Sequence, residues 1–474
     1  MSEEFDLAIV GSGAAAMAAA IRATAMGKSV VMIERGTFGG TCVNTGCVPS
    51  KALIAAAQAQ HTVSDAGRFP GVGATAVPVD MAALAAGTRR LAESMRSEKY
   101  VAVADSYGWR RVQGAAAFAG TRAAPSLVVT APDGTTETII ARRYLVATGA
   151  QPSIPSIPGL NLVDYLTSTT AMELTAVPES LLVIGGGFIA LEQAQLFARL
   201  GAKVTVLVRS RIASAEDADV ADALLEALAD EHIEVVQLAT ATSVDTEAGE
   251  VVVTASSPGG QGDFRAAKLL VATGRTPNTR GLNLETVGVD TSTSGAILVS
   301  NQLRTSNPRV WAAGDVTGHP EFVYVAAAQG TTVADNMFGQ TPRSLDYTHL
   351  PRVMFTSPAI GSVGMTETQA LASGIRYTSS LLPLTHVPRA QVDRDTRGFI
   401  KLIADSDSHR VLGISAVANS AGEIAAAGVY ILEARMTVEQ VARTWAPYLT
   451  MAEGIKIAAQ SFSTDIAQLS CCAS

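Results

Sequence analysis

Apolar residues along the chain fall into short runs separated by glycine-rich turns and helical stretches. Phe5-Asp-Leu-Ala-Ile-Val10 is almost continuously apolar, as a strand covered on both faces would be. It leads into Gly11-Ser-Gly13-Ala-Ala-Ala16, and the alanine-rich sequence to about Met26 predicts a helix. A second run, Ser29-Val-Val-Met-Ile-Glu34, completes a strand–helix–strand unit. The same order returns in Ser180-Leu-Leu-Val-Ile184, Gly185-Gly-Gly187-Phe-Ile-Ala190, a helix to about Leu200 and Lys203-Val-Thr-Val-Leu-Val208. Tyr144-Leu-Val-Ala-Thr-Gly149 also matches Leu269-Leu-Val-Ala-Thr-Gly274, and Val310-Trp-Ala-Ala-Gly-Asp315 predicts a strand ending in a turn. From about Leu350 the pattern changes. Strand-like runs at Phe399–Ile403 and Val411–Ser415 precede helical patterns over about Gly422–Glu433 and Ala452–Phe462, which predicts a mixed α+β domain.

The glycine turns carry a chemical expectation. A strand, a Gly-x-Gly-x-x-Gly/Ala turn and a helix together bring backbone N–H groups to a pyrophosphate at the helix N-terminus. Gly11, Gly13 and Ala16 fill this pattern once, and Gly185, Gly187 and Ala190 fill it again. A single such match is also compatible with an ordinary glycine-rich turn; the charges at the two strand ends sharpen the reading. Glu34, 23 residues after Gly11, suits an unphosphorylated ribose such as that of FAD. Arg209 and Arg211 follow the later strand and suit the 2′-phosphate of NADPH.

Composition sets the limits. With 474 residues, 48% hydrophobic and 16% charged, the chain is globular and long enough for several domains. Thirty-five basic against 43 acidic residues give a net charge of −8, which argues against a nucleic-acid partner. The uncharged stretch Tyr144–Val163 contains Pro152, Pro155 and Pro158, so it predicts no membrane span, and Gln151–Pro158 reads as a linker. Acidic residues before Leu7–Ile21 argue against a signal peptide, so a cytoplasmic protein is expected.

Four cysteines lie in two pairs, Cys42 with Cys47 and Cys471 with Cys472. The first pair sits in Gly39-Gly-Thr-Cys42-Val-Asn-Thr-Gly-Cys47-Val-Pro-Ser-Lys51, directly after the first nucleotide unit. Cysteines at this spacing at a helix start can form a disulfide, and a helix dipole would lower the pKa of the thiol; buried apolar cysteines are the alternative.

That run, both glycine fingerprints, the Ala-Thr-Gly elements and Ala313-Gly-Asp315 together resemble the flavin-dependent pyridine nucleotide–disulfide oxidoreductases, over nearly the whole chain. The resemblance implies an α/β fold with two Rossmann-like dinucleotide-binding domains and a C-terminal α+β dimerisation domain. The expected boundaries are 1–155 with 281–349 for FAD, 156–280 for NADPH and 350–474 for the interface. It implies a homodimer in which Gly40, Thr41, Lys51, Thr148, Gly149, Gly314 and Asp315 join the FAD site, and Gly274 the NADPH site. Cys47 would face the flavin, Cys42 would be the interchange thiol, and Lys51 would pair with Glu192.

One departure stands out. Disulfide-reducing members carry a His-Pro-x-x-x-Glu motif near the C-terminus, whose histidine shuttles protons. Here Glu453 is present, but five residues before it stands Tyr448, and the six histidines (61, 232, 319, 349, 386 and 409) lie elsewhere. The tail Leu469-Ser-Cys471-Cys472-Ala-Ser474 offers soft thiolate ligands instead. These departures match the Hg(II)-reducing branch of the family, in which Tyr100 and Tyr448 would line the metal path. Cys42, Cys47, Cys471 and Cys472 would then hold Hg(II) transiently. The chain starts directly at its first nucleotide strand, so a catalytic core is expected, supplied by Hg(II)–thiol adducts or a separate mercury carrier. The rivals are a small-disulfide reductase without the histidine and a flavoprotein that sequesters or senses thiophilic metals.

Overall fold

The computed structural model describes residues 4–318 and 320–466. They form two compact units. The first is built from the chain up to Ala52, Ala82–Ser153 and Gly274–Leu345; the second from Leu53–Met81, Ile154–Thr273 and the chain from Asp346 onward. The crossing between Ser153 and Ile154 falls inside the proline-rich stretch, where prolines disfavour regular pairing.

In the first unit, Glu4–Val10 is buried because it pairs on both sides. It runs parallel to Val30–Glu34, with Val10 opposite Ile33, and parallel to Thr136–Val146, with Val10 opposite Val146. Arg110–Gln113 and Val310–Ala312 extend this parallel sheet. The long strand Thr136–Val146 changes partners along its length: its N-terminal part pairs antiparallel with Pro125–Thr130, which in turn pairs with Ala115–Gly120. The helix Ala14–Ala25 is alanine-rich for a packing reason. It lies so close to the helix Val323–Phe338 that a Cβ on Gly330 would stand 2.1 Å from the Ala15 carbonyl oxygen.

The second unit holds two sheet systems. Glu234–Gln237, Lys203–Val208, Ser180–Ile184, Lys268–Val271 and Tyr165–Thr167 form a five-stranded parallel sheet, with an antiparallel three-stranded sheet over 240–266 beside it in sequence. Further on, Arg352–Met354, Ala359–Gly364, Val411–Ala418, Phe399–Asp405 and Tyr377–Pro383 make a five-stranded antiparallel sheet. The helices Ala421–Glu433 and Glu453–Gln460 cover it around a core that includes Ile400, Leu402, Ile414 and Ile424. This is the expected change from α/β to α+β. Among the described residues, no helix is long and apolar enough to cross a membrane.

Candidate active site

The two glycine turns share one geometry. Gly11 has φ +109°, and a Cβ there would lie 2.3 Å from the carbonyl oxygen of Ala147. Gly185 has φ +140°, and its Cβ would lie 2.2 Å from the carbonyl oxygen of Ala272. Ala147 and Ala272 open the two Ala-Thr-Gly elements, so that repeat supplies the strand end against which each turn closes. Gly13 has only the Cα of Gly40 near its missing Cβ, at 3.8 Å, and Gly187 has nothing within 4 Å. Each caps its helix without a side-chain hydrogen bond. The first-turn N–H groups and the room in front of them fit a pyrophosphate of FAD at the first turn and of NADPH at the second.

Glu34 is held at the end of its strand by two hydrogen bonds. Its Oε2 accepts from Ser12 Oγ at 2.6 Å and its Oε1 from the Gly36 N–H at 2.8 Å. A carboxylate has about four acceptor positions, so capacity remains for a ribose hydroxyl. Glu34 borders a cavity of about 400 Å³ lined also by Met32, Phe38, Trp109, Arg111 and Gln113. Thr148 Oγ1 donates to the Asn278 carbonyl at 2.8 Å, and Gly149 has φ +67°. The Gly314 N–H donates to Gln329 Oε1 at 2.6 Å, and Asp315 lies 3.8 Å from Arg275 Nε.

The cysteine pair joins this turn directly. Thr41 and Cys42 lie on the short helix Gly40–Thr45, and Cys47 opens the helix Cys47–Ser64. Asn44 fastens the approach: its Nδ2 donates to the carbonyls of Thr37, Phe38 and Gly40 at 3.3, 3.1 and 2.8 Å. Cys42 is half-buried and Cys47 exposed. A hydrogen bond with the Cys47 thiol, then burial, push the Cys42 thiol up, while the Cys47 N–H and the Lys51 charge pull it down. The dipole-lowered thiol expected from sequence is therefore outweighed at Cys42, because the two sulfurs are mutual neighbours and the second proton is hard to remove.

Tyr100 belongs to the same cluster. It sits on a π-helical turn, Ser97–Val101, between the helices Met81–Arg96 and Ala102–Ser106. Its Cγ would lie 3.4 Å from a Cβ on Gly39. Burial raises its phenol pKa, and charge on Cys42 and on Cys47 raises it further, which puts the phenol within electrostatic reach of both thiols. An extra residue in a helical turn commonly re-aims a side chain at a functional site.

The remaining candidates lie in the second unit or beyond the described residues. Glu192 is buried on the helix Phe188–Leu200, and its carboxylate accepts the Phe355 N–H at 2.9 Å. Glu453 accepts the Leu449 N–H at 3.1 Å and thereby holds the turn bearing half-exposed Tyr448. Ala190 is fully buried, and Gly274 has φ +132° with no neighbour near its missing Cβ. Arg209 is exposed at a strand end, whereas Arg211 donates to the carbonyls of Glu216 and Asp217 at 2.6 and 2.9 Å. Cys471 and Cys472 lie outside the described residues. Sequence reasoning missed Ser12, Asn44 and Gln329. Ser12 and Asn44 stand inside motifs already singled out, but only their hydrogen bonds reveal their part.

Comparison with known proteins agrees with this geometry. The model of the pyridine nucleotide-disulphide oxidoreductase family matches residues 5–330, and that of its dimerisation domain matches residues 350–459. The chain is 53% identical over 469 residues to a mercuric reductase of Streptomyces lividans, covering 99% of this chain and 98% of the relative. It is 44% identical over 472 residues to a mercuric reductase of Acidithiobacillus ferrooxidans, covering 99% and 85%. Among solved structures, the Cu(II) complex of the HOCl-induced flavoprotein disulfide reductase RclA from Escherichia coli superposes with TM-score 0.87. That match has 29% identity and covers 97% of this chain and 99% of the other.

Proposed function

The chain belongs to the pyridine nucleotide-disulphide oxidoreductase family, and from that premise we propose that it reduces Hg(II) to Hg(0) with NADPH at the Cys42–Cys47 dithiol. The observation that carries the assignment is the dithiol with Tyr100 packed against Gly39 at the start of the Cys42 helix, combined with Tyr448 in the register where disulfide-reducing relatives place histidine. Thiol–disulfide exchange needs a proton shuttle at that position. Ligand exchange on a thiophilic ion needs only thiolates that displace one another.

Bound FAD would supply the two-electron redox chemistry that links NADPH oxidation to the reduction of Hg(II) to Hg(0). The Gly11 turn, Glu34, Thr148 and Gly314 would hold it, and the Gly185 turn would hold NADPH with exposed Arg209 at the 2′-phosphate and Arg211 bracing the loop beside it. Hg(II) arrives as a bis-thiolate adduct of small thiols or from a separate carrier. Cys471 and Cys472 of one subunit displace those thiolates and pass the ion to Cys42 and Cys47 of the partner subunit. Each incoming thiol gives up its proton to the thiolate that leaves. After reduction the two protein thiolates are free again, because Hg(0) has little affinity for them. Lys51 favours the anionic sulfur, and the Tyr100 and Tyr448 hydroxyls donate to sulfur along the path.

The dimerisation domain makes the protein a homodimer. The same region of the single chain exposes Trp445 at 95% and Tyr430 at 76%, apolar surface of the kind a second subunit covers. Cytoplasmic placement follows from the supply of NADPH and small thiols there. FAD-loaded protein mixed with NADPH, Hg(II) and excess small thiol tests the assignment. Mercury-dependent loss of absorbance at 340 nm matched by evolved Hg(0) is expected. NADPH oxidation by glutathione disulfide or lipoamide with no mercury vapour would overturn it.

A further inference from the structure

The loop over residues 209–217 connects the strand Lys203–Val208 to the helix Ala218–Asp230 and carries the arginines assigned to the coenzyme's 2′-phosphate. It is held from several directions. Ala213 is buried with φ +44°, and its N–H donates to the Gly186 carbonyl at 3.0 Å, which ties the loop to the glycine turn. Buried Ile212 donates its N–H to Gln237 Oε1 at 2.9 Å. Arg211 spans the loop through the Glu216 and Asp217 carbonyls. Two of its five donors are thus committed to backbone, and Arg209 is left as the exposed cation of the pair.

The carboxylates of Glu216 and Asp217 turn toward the C-terminal sheet instead. Glu216 has no exposed side-chain surface; its Oε1 accepts from Arg352 Nε at 3.1 Å and from Ser362 Oγ at 3.1 Å. Asp217 Oδ2 accepts from Lys401 Nζ at 3.0 Å and the Glu367 N–H at 2.9 Å, and its Oδ1 from Thr368 Oγ1 at 2.9 Å. Lys401 is 1% exposed and also meets Asp219 at 2.7 Å and Glu367 at 3.2 Å. Burying Glu216, Asp217 and Lys401, with Asp219, Glu367 and Arg352 partly buried beside them, is a costly way to glue two surfaces, and apolar contacts would do it with less desolvation. Directional charge pairs do something apolar contacts cannot: they fix a single position for the backbone whose carbonyls hold Arg211.

We propose that the C-terminal sheet sets coenzyme selectivity, with Arg352 and Lys401 acting as positioning residues that hold the Glu216–Asp217 backbone, Arg211 and thereby Arg209 in register with the 2′-phosphate. The inference rests on Arg209 meeting that phosphate. It assigns NADPH preference to residues more than 130 positions away in sequence and on a different sheet.

Calorimetric titration of the FAD-loaded dimer with NADP⁺ and with NAD⁺ tests this, alongside initial rates with NADPH and NADH. Arg352→Met and Lys401→Met should each weaken NADP⁺ about tenfold and NAD⁺ less than about twofold, the scale of one charge-assisted hydrogen bond. Arg352→Lys, which keeps the charge, should recover most of the loss. Arg209→Ala should abolish the NADP⁺ advantage. If Arg209→Ala does so while both methionine variants keep the wild-type NADP⁺/NAD⁺ ratio, the positioning role is overturned and the phosphate site stands. The positioning role is equally overturned if the methionine variants weaken both nucleotides to the same extent, as a merely structural role would. If Arg209→Ala leaves the ratio unchanged, the phosphate site itself is wrong and the inference falls with it. Arg352, only partly buried, keeps the test decisive should Lys401→Met fail to fold.

Discussion

A methyl group on Gly40 would stand 2.5 Å from the Cα of Gly13. The first glycine turn and the helix bearing Cys42 are therefore in backbone contact, and Gly40 cannot be enlarged without separating them. The contact explains why Gly39-Gly40 precede the first cysteine by so short a distance.

Gly11 and Gly13 should respond differently to alanine. Gly11→Ala meets the Ala147 carbonyl at 2.3 Å in a left-handed conformation and should cost roughly 3 kcal/mol or more, with loss of FAD. Gly13→Ala meets only a Cα at 3.8 Å, so the apoprotein should melt within a few degrees of wild type while FAD affinity falls. Apoprotein melting and the 450 nm absorbance of reconstituted samples separate the two. Equal destabilisation of both apoproteins would refute the assignment of Gly13 to cofactor space.

Removing Cys47 should lower the pKa of Cys42. The hydrogen bond with the Cys47 thiol is the main influence raising it, with burial next, while the Cys47 N–H that opposes them survives in Cys47→Ala. The expected result is faster iodoacetamide alkylation of Cys42 at neutral pH than in the reduced wild type. Lys51→Met should act in the opposite direction. Both variants should lose Hg(II) reduction, Cys47→Ala completely.

Tyr100→Phe removes one hydroxyl from a half-buried ring whose packing stays in place. Stability should change by less than about 1 kcal/mol, whereas kcat for Hg(II) should fall about tenfold if the phenol donates to sulfur. An unchanged kcat would reduce Tyr100 to a packing residue over Gly39.

Replacing Cys471 and Cys472 by alanine should matter most when mercury is held by competing thiols. Turnover is expected to fall steeply as small-thiol concentration rises, and to approach wild type when Hg(II) is weakly ligated. Wild-type rates at high thiol would exclude the tail as the entry relay.

Asp217 gives a pH signature. Burial works to raise its pKa, but the Glu367 N–H, Lys401 and the Thr368 N–H outweigh it and hold the carboxyl below its ordinary value. A group depressed in the folded state contributes stability above its unfolded pKa, and that contribution disappears as pH falls through the folded value. Asp217→Asn should therefore be less stable than wild type at pH 7 by roughly 3 kcal/mol. The gap should narrow as pH falls below about 4. Lys401 carries the opposite sign: burial lowers its pKa, Asp219 and Asp217 outweigh that and raise it, and its contribution is lost only at strongly alkaline pH. Melting curves from pH 3 to 8 test this, and a constant gap would count against a paired Asp217.

The sequence by itself determined the repeated strand–turn–helix units, the opposite charges at their strand ends, the cysteine pair and the missing histidine. Each of those depends on residues close together in the chain. Runs such as Phe5–Val10, short and bounded by a glycine turn, read as buried strands, and the turns at Gly11 and Gly185, with positive φ, tolerate little but glycine. The tertiary structure alone decided what lies between distant segments. Ala147 closes on Gly11, the π-helical turn sets Tyr100 against Gly39 at the start of the Cys42 helix, and Arg211 commits two of its donors to the loop. Lys401 reads as an ordinary strand lysine in Phe399–Ile403, yet it is buried among carboxylates from two other segments. Periodicity reports which face of an element is covered, not which charged group covers it, and a partner 184 residues away leaves no local mark.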